Sequence, residues 1–466
     1  MPDQIKFGTD GWRAIIADTY TLANVRRVAY ATALYMKERG LSRALIGHDC
    51  RFGGEMFLQE ASRVIADQGI EVHYHKGICT TPMISLGLVA HSLDMGVVIT
   101  ASHNPPSYNG YKLKSAYGGP TIPAEIAAVE ALIPDGPVEC KVDFSTFVQK
   151  GTIKEIDLAK TYIDAVKKNF DVDAINAIAG NVAYDAMYGA GFVIIDELFP
   201  SMQSIHNEYN PSFHGQAPEP IHRNLTELSE MIAADDQITV GFANDGDADR
   251  IGMYDEHGNF VDSHHLLLLL LQYLHEHKGM RGKVVVTFSV TDKMIQLAKK
   301  YGLECEVTKI GFKYIAEIMT KEDVLVGGEE SGGLAVKGHV PERDGIWMAL
   351  LVLEYMSKTG KTLRELCQGL YDEVGSFAFD RYDLHITDDL KKRAIKHCQD
   401  TGWTDVAGNK VTGTDSLDGY KYFWDGGWLM IRPSGTEPVL RVYCQSPDHK
   451  EVIRVLDTVK AEILAM

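Results

Sequence analysis

Four short stretches carry residue types that could handle a phosphate, a divalent cation or a polyhydroxylated ligand. In TASHNPPSYNGYKLK, Thr100, Ser102, His103 and Asn104 are small polar groups, followed by Pro105 and Pro106. The prolines stiffen the turn, so a serine hydroxyl is held beside an imidazole, with Lys112 further on. That is the chemistry of a nucleophile or a phosphate carrier. A polar turn whose serine bonds to nearby backbone uses the same residues. In NDGDADR, Asp245, Asp247 and Asp249 alternate ahead of Arg250. Three carboxylates so close repel one another unless a hard cation neutralises them, and Mg²⁺ takes a few carboxylates plus phosphate oxygens. Read as an EF-hand loop, the acidic positions fit and Glu256 falls at the last ligand place. Arg250, however, stands where that loop needs glycine, and a strand precedes it instead of a helix. A solvated acidic turn is the remaining alternative.

GGEESGG offers Glu329, Glu330 and Ser331 between glycines that let a ligand approach closely. Carboxylates beside a hydroxyl suit the vicinal hydroxyls of a sugar, although glutamates at a helix N-terminus explain the pattern too. In RPSGTEP, Arg432 supplies a fork of donors, and Ser434, Gly435 and Thr436 supply hydroxyls and backbone N–H groups. That is a phosphate cradle or a plain hairpin loop. No G-x-x-x-x-G-K-[ST] is present, so a P-loop nucleotidase is not supported.

Each stretch follows a predicted strand, and in open α/β sheets ligands gather outside the carboxyl ends of strands. Residues 43–101 alternate as strand RALIGHD, helix EMFLQEASRVIADQG, strand IEVHYH, helix PMISLGLVAHSL and strand MGVVITA. Such alternation predicts a mostly parallel sheet covered by helices. The theme returns in 154–257, where DLAKTYIDAVKKNF precedes the strand ITVGFA, and in 258–371, with KVVVTFS, LECEVT and DVLVGG as strands. From about 372 short strands (FAFDRYDLHI, KYFWDG, WLMIR, VLRVYCQ) mix with two helices as an α+β domain. The predicted organisation is three α/β domains over 1–150, 151–257 and 258–371, then an α+β domain over 372–466. Length agrees, because single cores stop growing at roughly 250–300 residues and this chain has 466.

A formal charge of −18 argues against a nucleic-acid or anionic-membrane partner. It leaves room for an anionic small molecule held by a few cations in a cleft. Seven scattered cysteines without C-x-x-C fit a reducing cytoplasm and not a disulfide framework or zinc site. MPDQIKFGTDGWRA lacks a signal-peptide core. The run Leu266 to Leu271 is far short of the ~20 apolar residues a membrane span needs, so it reads as a buried helix. A cytoplasmic location is expected.

TASHNP, DGDADR, GEESGG and RPSGTEP, in this order and spacing, resemble the four signature loops of the α-D-phosphohexomutase superfamily, in its bacterial phosphoglucomutase/phosphomannomutase form. FGTDGWRA looks like that family's N-terminal F-G-T-x-G-x-R. The resemblance spans the whole chain and implies four domains around a central cleft. By likeness, Ser102 is carried as phosphoserine and, with Asp245, Asp247 and Asp249, binds Mg²⁺. Arg13, His103, Lys112 and Arg250 would surround the transferring phosphoryl group, and Glu329 and Ser331 would hold sugar hydroxyls. Arg432, Ser434, Gly435 and Thr436 would hold the other phosphate.

The implied reaction interconverts hexose 1-phosphate and hexose 6-phosphate through a 1,6-bisphosphate, with glucose 1,6-bisphosphate as intermediate and activator. GEES resembles glucose-preferring members, with mannose as a second sugar; phosphoglucosamine mutase, a phosphatase and a sugar-phosphate binding protein are the alternatives. The proton shuttle is left open. Some members place a histidine where this chain has Gly333, and others use a lysine near the position of Arg343, which is grouped here with the substrate-binding residues. Arginine shuttles protons poorly, its pKa being above ~12. His339 and Lys337 are further candidates, an ordinary surface role being the alternative for each.

Overall fold

The computed structural model describes residues 5–8, 10–433 and 439–466. It forms two compact units: residues 1–284 with 311–366, and residues 285–310 with 367–466. The first unit opens with strands β1 (Trp12–Ile15), β2 (Arg43–His48), β3 (Glu71–Ile78), β4 (Met95–Ile99), β5 (Tyr108–Ser115), β6 (Gly119–Pro120) and β7 (Ile153–Glu155). They make one sheet in the order β1-β5-β4-β2-β3-β7, with β6 paired to β5. All five residues of β4 are buried, as expected for a central strand covered on both faces. Helices Leu22–Glu38 and Gly54–Asp67 pack on the sheet around a core that includes Val28, Ile46, Ile65 and Val97.

A second sheet follows, with β8 (Val182–Asp185), β9 (Gln203–Ile205), β10 (Val240–Asn244), β11 (Ile251–Tyr254) and β12 (Phe260–Val261) in the order β12-β11-β10-β8-β9. The six leucines lie in helix Ser263–Gln272, where each is at most 1% exposed, as a buried helix requires. Asp262 caps that helix by accepting the N–H of His265. No described helix is long and apolar enough to cross a membrane.

The strands of residues 43–101 are parallel as their alternation predicts, and the sheets as a whole are mixed. β2 is parallel to β3 and β4, but β5 runs antiparallel to β4, and β11 antiparallel to β10. Strand Leu334–Val336 likewise runs antiparallel to Val324–Gly328. Residues 100–107, 245–250 and 329–333 join these pairs, and each is too short for the crossover of a dozen or more residues that a parallel return demands. Three of the four motif loops are therefore hairpin tips at the ends of buried strands.

The second unit carries a five-stranded antiparallel sheet. Its strands are Ala378–His385, Val439–Ser446, Gly427–Pro433, Tyr420–Trp424 and Gly413–Asp415, paired in that order. Helix His449–Ala465 buries Val452, Val455, Leu456, Val459 and Ile463 on one stripe against it. This is the expected α+β arrangement.

Candidate active site

The first unit brings together Ser102, His103, Lys112, Arg13, Arg250, the three aspartates and Arg343. Ser102 caps the tip between β4 and β5 in a left-handed conformation, φ 52°, uncommon for a residue with a side chain. Its Oγ donates to Asp245 Oδ2 at 2.7 Å and lies 3.2 Å from His103 Nδ1. Gly246 makes this approach possible, since a Cβ there would lie 2.5 Å from the carbonyl oxygen of Ser102. Arg13 Nη1 donates to Asn104 Oδ1 at 2.6 Å, tying the N-terminal motif to the serine loop.

Asp245, Asp247 and Asp249 are each fully buried at the tip after β10, and their ligand atoms lie within 4.8 Å of one another. Among the described residues, Asp247 Oδ1 and Asp249 Oδ1 are buried without a hydrogen-bond partner. Buried carboxylate oxygens left unpaired are what a divalent cation would satisfy, so the donor set fits Mg²⁺. Burial and the Asp249 and Asp247 carboxylates push Asp245 well above the usual carboxylate range. Asp247 moves the other way. Burial opposes its charge, but Lys112 and the Thr81 hydroxyl outweigh that and hold it low.

Lys112 lies on β5 opposite Val98 of β4, and the reversed strand returns its side chain to the site. Its Nζ is 2.8 Å from Asp247 Oδ2, 3.1 Å from Asp249 Oδ2 and 2.9 Å from Asp10 Oδ2. Burial disfavours its charge, but the three carboxylates outweigh burial and push its pKa up, so it is a permanent cation. His103 is driven well below the ordinary histidine range, first by burial and then by Arg250, Arg13, Lys112 and Arg343, and is neutral. Arg250 donates its backbone N–H to Asp245 Oδ1 at 3.0 Å, and its guanidinium stands 3.7 Å from Glu219.

Glu329 is buried, its backbone N–H bonded to the carbonyl of Gly333 at 3.0 Å. Burial pushes its carboxyl up to about 7, with Arg343 resisting. Ser331 is half-buried on the same tip. A Cβ on Gly333 would fall 2.5 Å from Arg343 Cδ. Arg343 thus runs through the space beside Gly333, and reaches Asp249 Oδ2 at 2.7 Å and Asp10 Oδ2.

The other shuttle candidates are occupied elsewhere. His339, expected at the surface if not catalytic, has its side chain hidden from water, with its ring stacked 3.9 Å from that of Trp347 and Nε2 2.8 Å from Asp344 Oδ2. Lys337 bonds Asp323 and the Arg281 carbonyl. In the second unit, Arg432 is the next-to-last residue of strand Gly427–Pro433, with Nη2 3.3 Å from Asp418 Oδ2. Ser434, Gly435 and Thr436 lie outside the described residues.

Several site residues escaped the sequence reading. Asp10 faces Lys112, Arg343, Lys114 and Arg13 at once. Burial works against its charge, yet these four cations hold it well below the usual carboxylate range. Glu342 is fully buried against Lys114. Thr81, first residue of helix Thr81–Ala90, donates its hydroxyl to Asp247 Oδ2 at 2.5 Å. Asp49 and Arg51 follow β2, and the strand-end rule applied to the four loops would have found them.

Models of phosphoglucomutase/phosphomannomutase domains I, II, III and IV match residues 4–137, 160–258, 262–374 and 399–462. The chain belongs to the phosphoglucomutase/phosphomannomutase family. Among relatives of this family, it is 30% identical over 460 residues to a phosphoglucomutase/phosphomannomutase of Thermococcus kodakarensis, covering 97% of this chain and 96% of that one. It is 31% identical to a phosphoglucosamine mutase of Methanococcus vannielii, covering 95% of each. A crystal structure of a candidate phosphomannomutase from Thermus thermophilus superposes with a TM-score of 0.88 at 33% identity, covering 99% of this chain and all of that one. The fold is the four-domain phosphohexomutase fold, three α/β domains and a C-terminal antiparallel sheet domain.

Proposed function

We propose that this phosphohexomutase interconverts hexose 1-phosphate and hexose 6-phosphate, glucose favoured and mannose second, through phospho-Ser102 and a 1,6-bisphosphate. The observation that supports this most is Ser102 Oγ, 2.7 Å from Asp245 in a buried ring of carboxylates and cations. Phospho-Ser102 gives its phosphoryl group to the free hydroxyl of a hexose phosphate, so that P–Oγ breaks, a sugar P–O bond forms, and the proton leaving the sugar hydroxyl ends on the freed Ser102 Oγ. The bisphosphate turns end for end, and its other phosphate returns to Ser102. Lys112 stays charged throughout and serves as a fixed counter-charge, never as a base. His103 Nδ1, 3.2 Å from Oγ, is placed to hydrogen-bond the serine hydroxyl, and because burial and the surrounding cations disfavour its protonated form, the serine proton ends on the freed sugar oxygen in the return step.

Asp245, Asp247 and Asp249, with an oxygen on Ser102, would hold Mg²⁺, which when bound offsets charge on the transferring phosphoryl group. Arg13 and Arg250 orient that group. A Glu329 carboxyl with a pKa of about 7 can accept from or donate to sugar hydroxyls, which suits a sugar read in two orientations, with Ser331 as its partner. Arg343, bonded to Asp249, is assigned to substrate together with Arg432, Ser434, Gly435 and Thr436, the last four on motif alone.

The preference for glucose rests on GEES; glucosamine phosphate is the second reading, favoured by the likeness to a phosphoglucosamine mutase. The test is isomerisation of glucose 1-phosphate with Mg²⁺ and a trace of glucose 1,6-bisphosphate. Mannose 1-phosphate and glucosamine 1-phosphate run beside it, and free phosphate is measured. Fastest turnover of glucose, lost on chelation, is expected. Faster glucosamine turnover would replace the sugar and keep the mechanism, whereas phosphate release without isomer would replace the reaction. Ser102→Ala is expected to abolish turnover and keep sugar-phosphate binding, and normal turnover in that variant would remove Ser102 from its role.

A further inference from the structure

Arg51 belongs to none of the signature loops and does not touch the reacting groups, yet its whole side chain is spent on one of them. It follows β2 in GHDCRFGG and is 1% exposed. Its Nη1 donates to the carbonyls of Pro105 and Tyr108, both at 2.9 Å. Nη2 donates to the carbonyls of Ser102 at 2.7 Å and Asn104 at 2.6 Å. Four donors of one guanidinium therefore end on four main-chain oxygens of residues 102–108. The tip makes two backbone bonds of its own, Asn104 N–H to the Ala101 carbonyl and Tyr108 N–H to the Pro105 carbonyl, both at 3.0 Å. Pro105 and Pro106 have no N–H to add, and Arg51 serves the carbonyls of Ser102, Asn104 and Tyr108.

The other side of Ser102 is held as well. Its N–H donates to Thr100 Oγ1 at 2.9 Å, and Thr100 Oγ1 donates to Asp49 Oδ2 at 2.5 Å. Asp49 closes the circuit, with Oδ1 accepting the Arg51 backbone N–H at 2.9 Å and Oδ2 standing 3.4 Å from Arg51 Nε. The ring of Phe213, 5.1 Å from the guanidinium carbon, covers the open face. The carbonyl and the amide of Ser102 are thus both fixed by one buried ion pair, at a residue whose φ of 52° is otherwise unfavourable.

We infer that Arg51 is a positioning residue: its guanidinium is the template on which the Ser102 loop is shaped, and it aims Oγ at Asp245 for every phosphoryl transfer. The inference rests on Ser102 as the phosphoryl carrier. A lysine cannot replace it, since an ammonium is a point donor and cannot reach four carbonyls in one plane.

The full-length chain with Arg51→Lys or Arg51→Ala tests this. The main readout is the rate at which glucose 1,6-bisphosphate phosphorylates Ser102, followed by intact mass and peptide mapping. Steady-state kcat and KM and a thermal melt accompany it. In Arg51→Lys the melt stays cooperative and KM for glucose 1-phosphate changes little, while kcat and the Ser102 phosphorylation rate both fall by about 100-fold. In Arg51→Ala, millimolar methylguanidinium restores the phosphorylation rate and methylammonium does not. Phosphorylation of Ser102 in Arg51→Lys at the wild-type rate overturns the template, and so does a loss in Arg51→Ala that methylguanidinium leaves untouched. If both variants unfold, Thr100→Val cuts the other arm. Its phosphorylation rate should fall by about tenfold with KM unchanged, and an unaltered rate overturns the template. Wild-type enzyme that labels at a residue other than Ser102 overturns the carrier assignment itself, a failure the peptide map separates from the others.

Discussion

Two lysines, one in each compact unit, are almost equally hidden from water and are driven in opposite directions. Lys112 is 0% exposed and Lys421 is 5% exposed. Lys112 meets three carboxylate oxygens between 2.8 and 3.1 Å away. Lys421 meets none at that range among the described residues. Its Nζ donates to the Phe288 carbonyl at 2.9 Å and lies over the rings of Trp428 at 3.7 Å, Phe288 at 5.3 Å and Phe423 at 5.5 Å. Burial pulls its pKa down to about 7, and the more distant Asp292 and Asp415 recover only part of the loss. For Lys112 burial is also the largest single influence, but the carboxylates together exceed it. Burial alone therefore does not set the charge of a lysine, and the number of ionised partners decides the sign. One site holds a fixed cation among carboxylates, while the other holds an amine poised to titrate near neutrality.

The largest effect should come from removing the fixed cation. Lys112→Met leaves Asp10, Asp247 and Asp249 facing one another without their common partner. Turnover should fall by about 1,000-fold, and unfolding free energy by about 3–5 kcal/mol, because an uncompensated buried charge remains. Denaturant titration beside the mutase assay measures both. A variant as stable and active as the parent would mean the carboxylates need no fixed counter-charge.

The same substitution at Lys421 should do the reverse. Lys421→Met removes a charge that has no close counter-ion among the described residues and fills the aromatic cage with an apolar chain, a change expected to stabilise by about 1–4 kcal/mol at neutral pH. The sign with pH follows from the depressed pKa. Between about 7 and the ordinary lysine value of 10.5 the unfolded chain binds a proton that the folded chain does not, so Lys421 makes stability rise with pH there. Below about 7 both states are charged and the full penalty applies. The advantage of Lys421→Met should thus be greatest at or below pH ~7 and fade toward pH ~10. Parallel stability curves for the two proteins across that range would contradict the depressed pKa.

This contrast also marks what could be read without coordinates. Ser102, Lys112 and the three aspartates were legible because their types and spacing repeat a chemical need within a few residues, at strand ends the hydrophobic pattern already located. The α+β character of the last domain was legible for the same local reason. Asp10 and Glu342 were not, since each acts on groups far along the chain: Arg343 is 333 positions from Asp10, and Glu342 is 228 from Lys114. Nothing local distinguishes Lys421 from a surface lysine on an alternating strand. Its cage is closed by Phe288, 133 positions earlier. The direction of β5 and β11 was hidden for a related reason, because it depends on loop length and pairing partner, whereas the apolar pattern records only that a strand is buried.

Asp10→Asn is a finer probe of the first site. It keeps the shape and removes one of three charges on Lys112 and one of two on Arg343 Nη2, leaving Asp247 and Asp249 in place. A loss of about tenfold in kcat/KM is expected, the worth of one charged hydrogen bond among several. An effect as large as that of Lys112→Met would mean that Asp10, and not the aspartate loop, is the principal partner of the cation.

The smallest effect isolates the aromatic face itself. Trp428 is 1% exposed, so Trp428→Phe alone mixes a packing defect with the loss of the stronger ring over Lys421. A double-mutant cycle with Lys421→Met separates them, since the packing defect is shared by both legs and cancels. At pH ~6, where Lys421 is charged, the coupling should be about 1 kcal/mol. At pH ~10 the folded-state amine is neutral and the ring quadrupole has no cation to hold, so the coupling should approach zero. Coupling that persists at high pH would instead assign the contact between Lys421 and Trp428 to dispersion, and the depressed pKa would then reflect burial with no aromatic support.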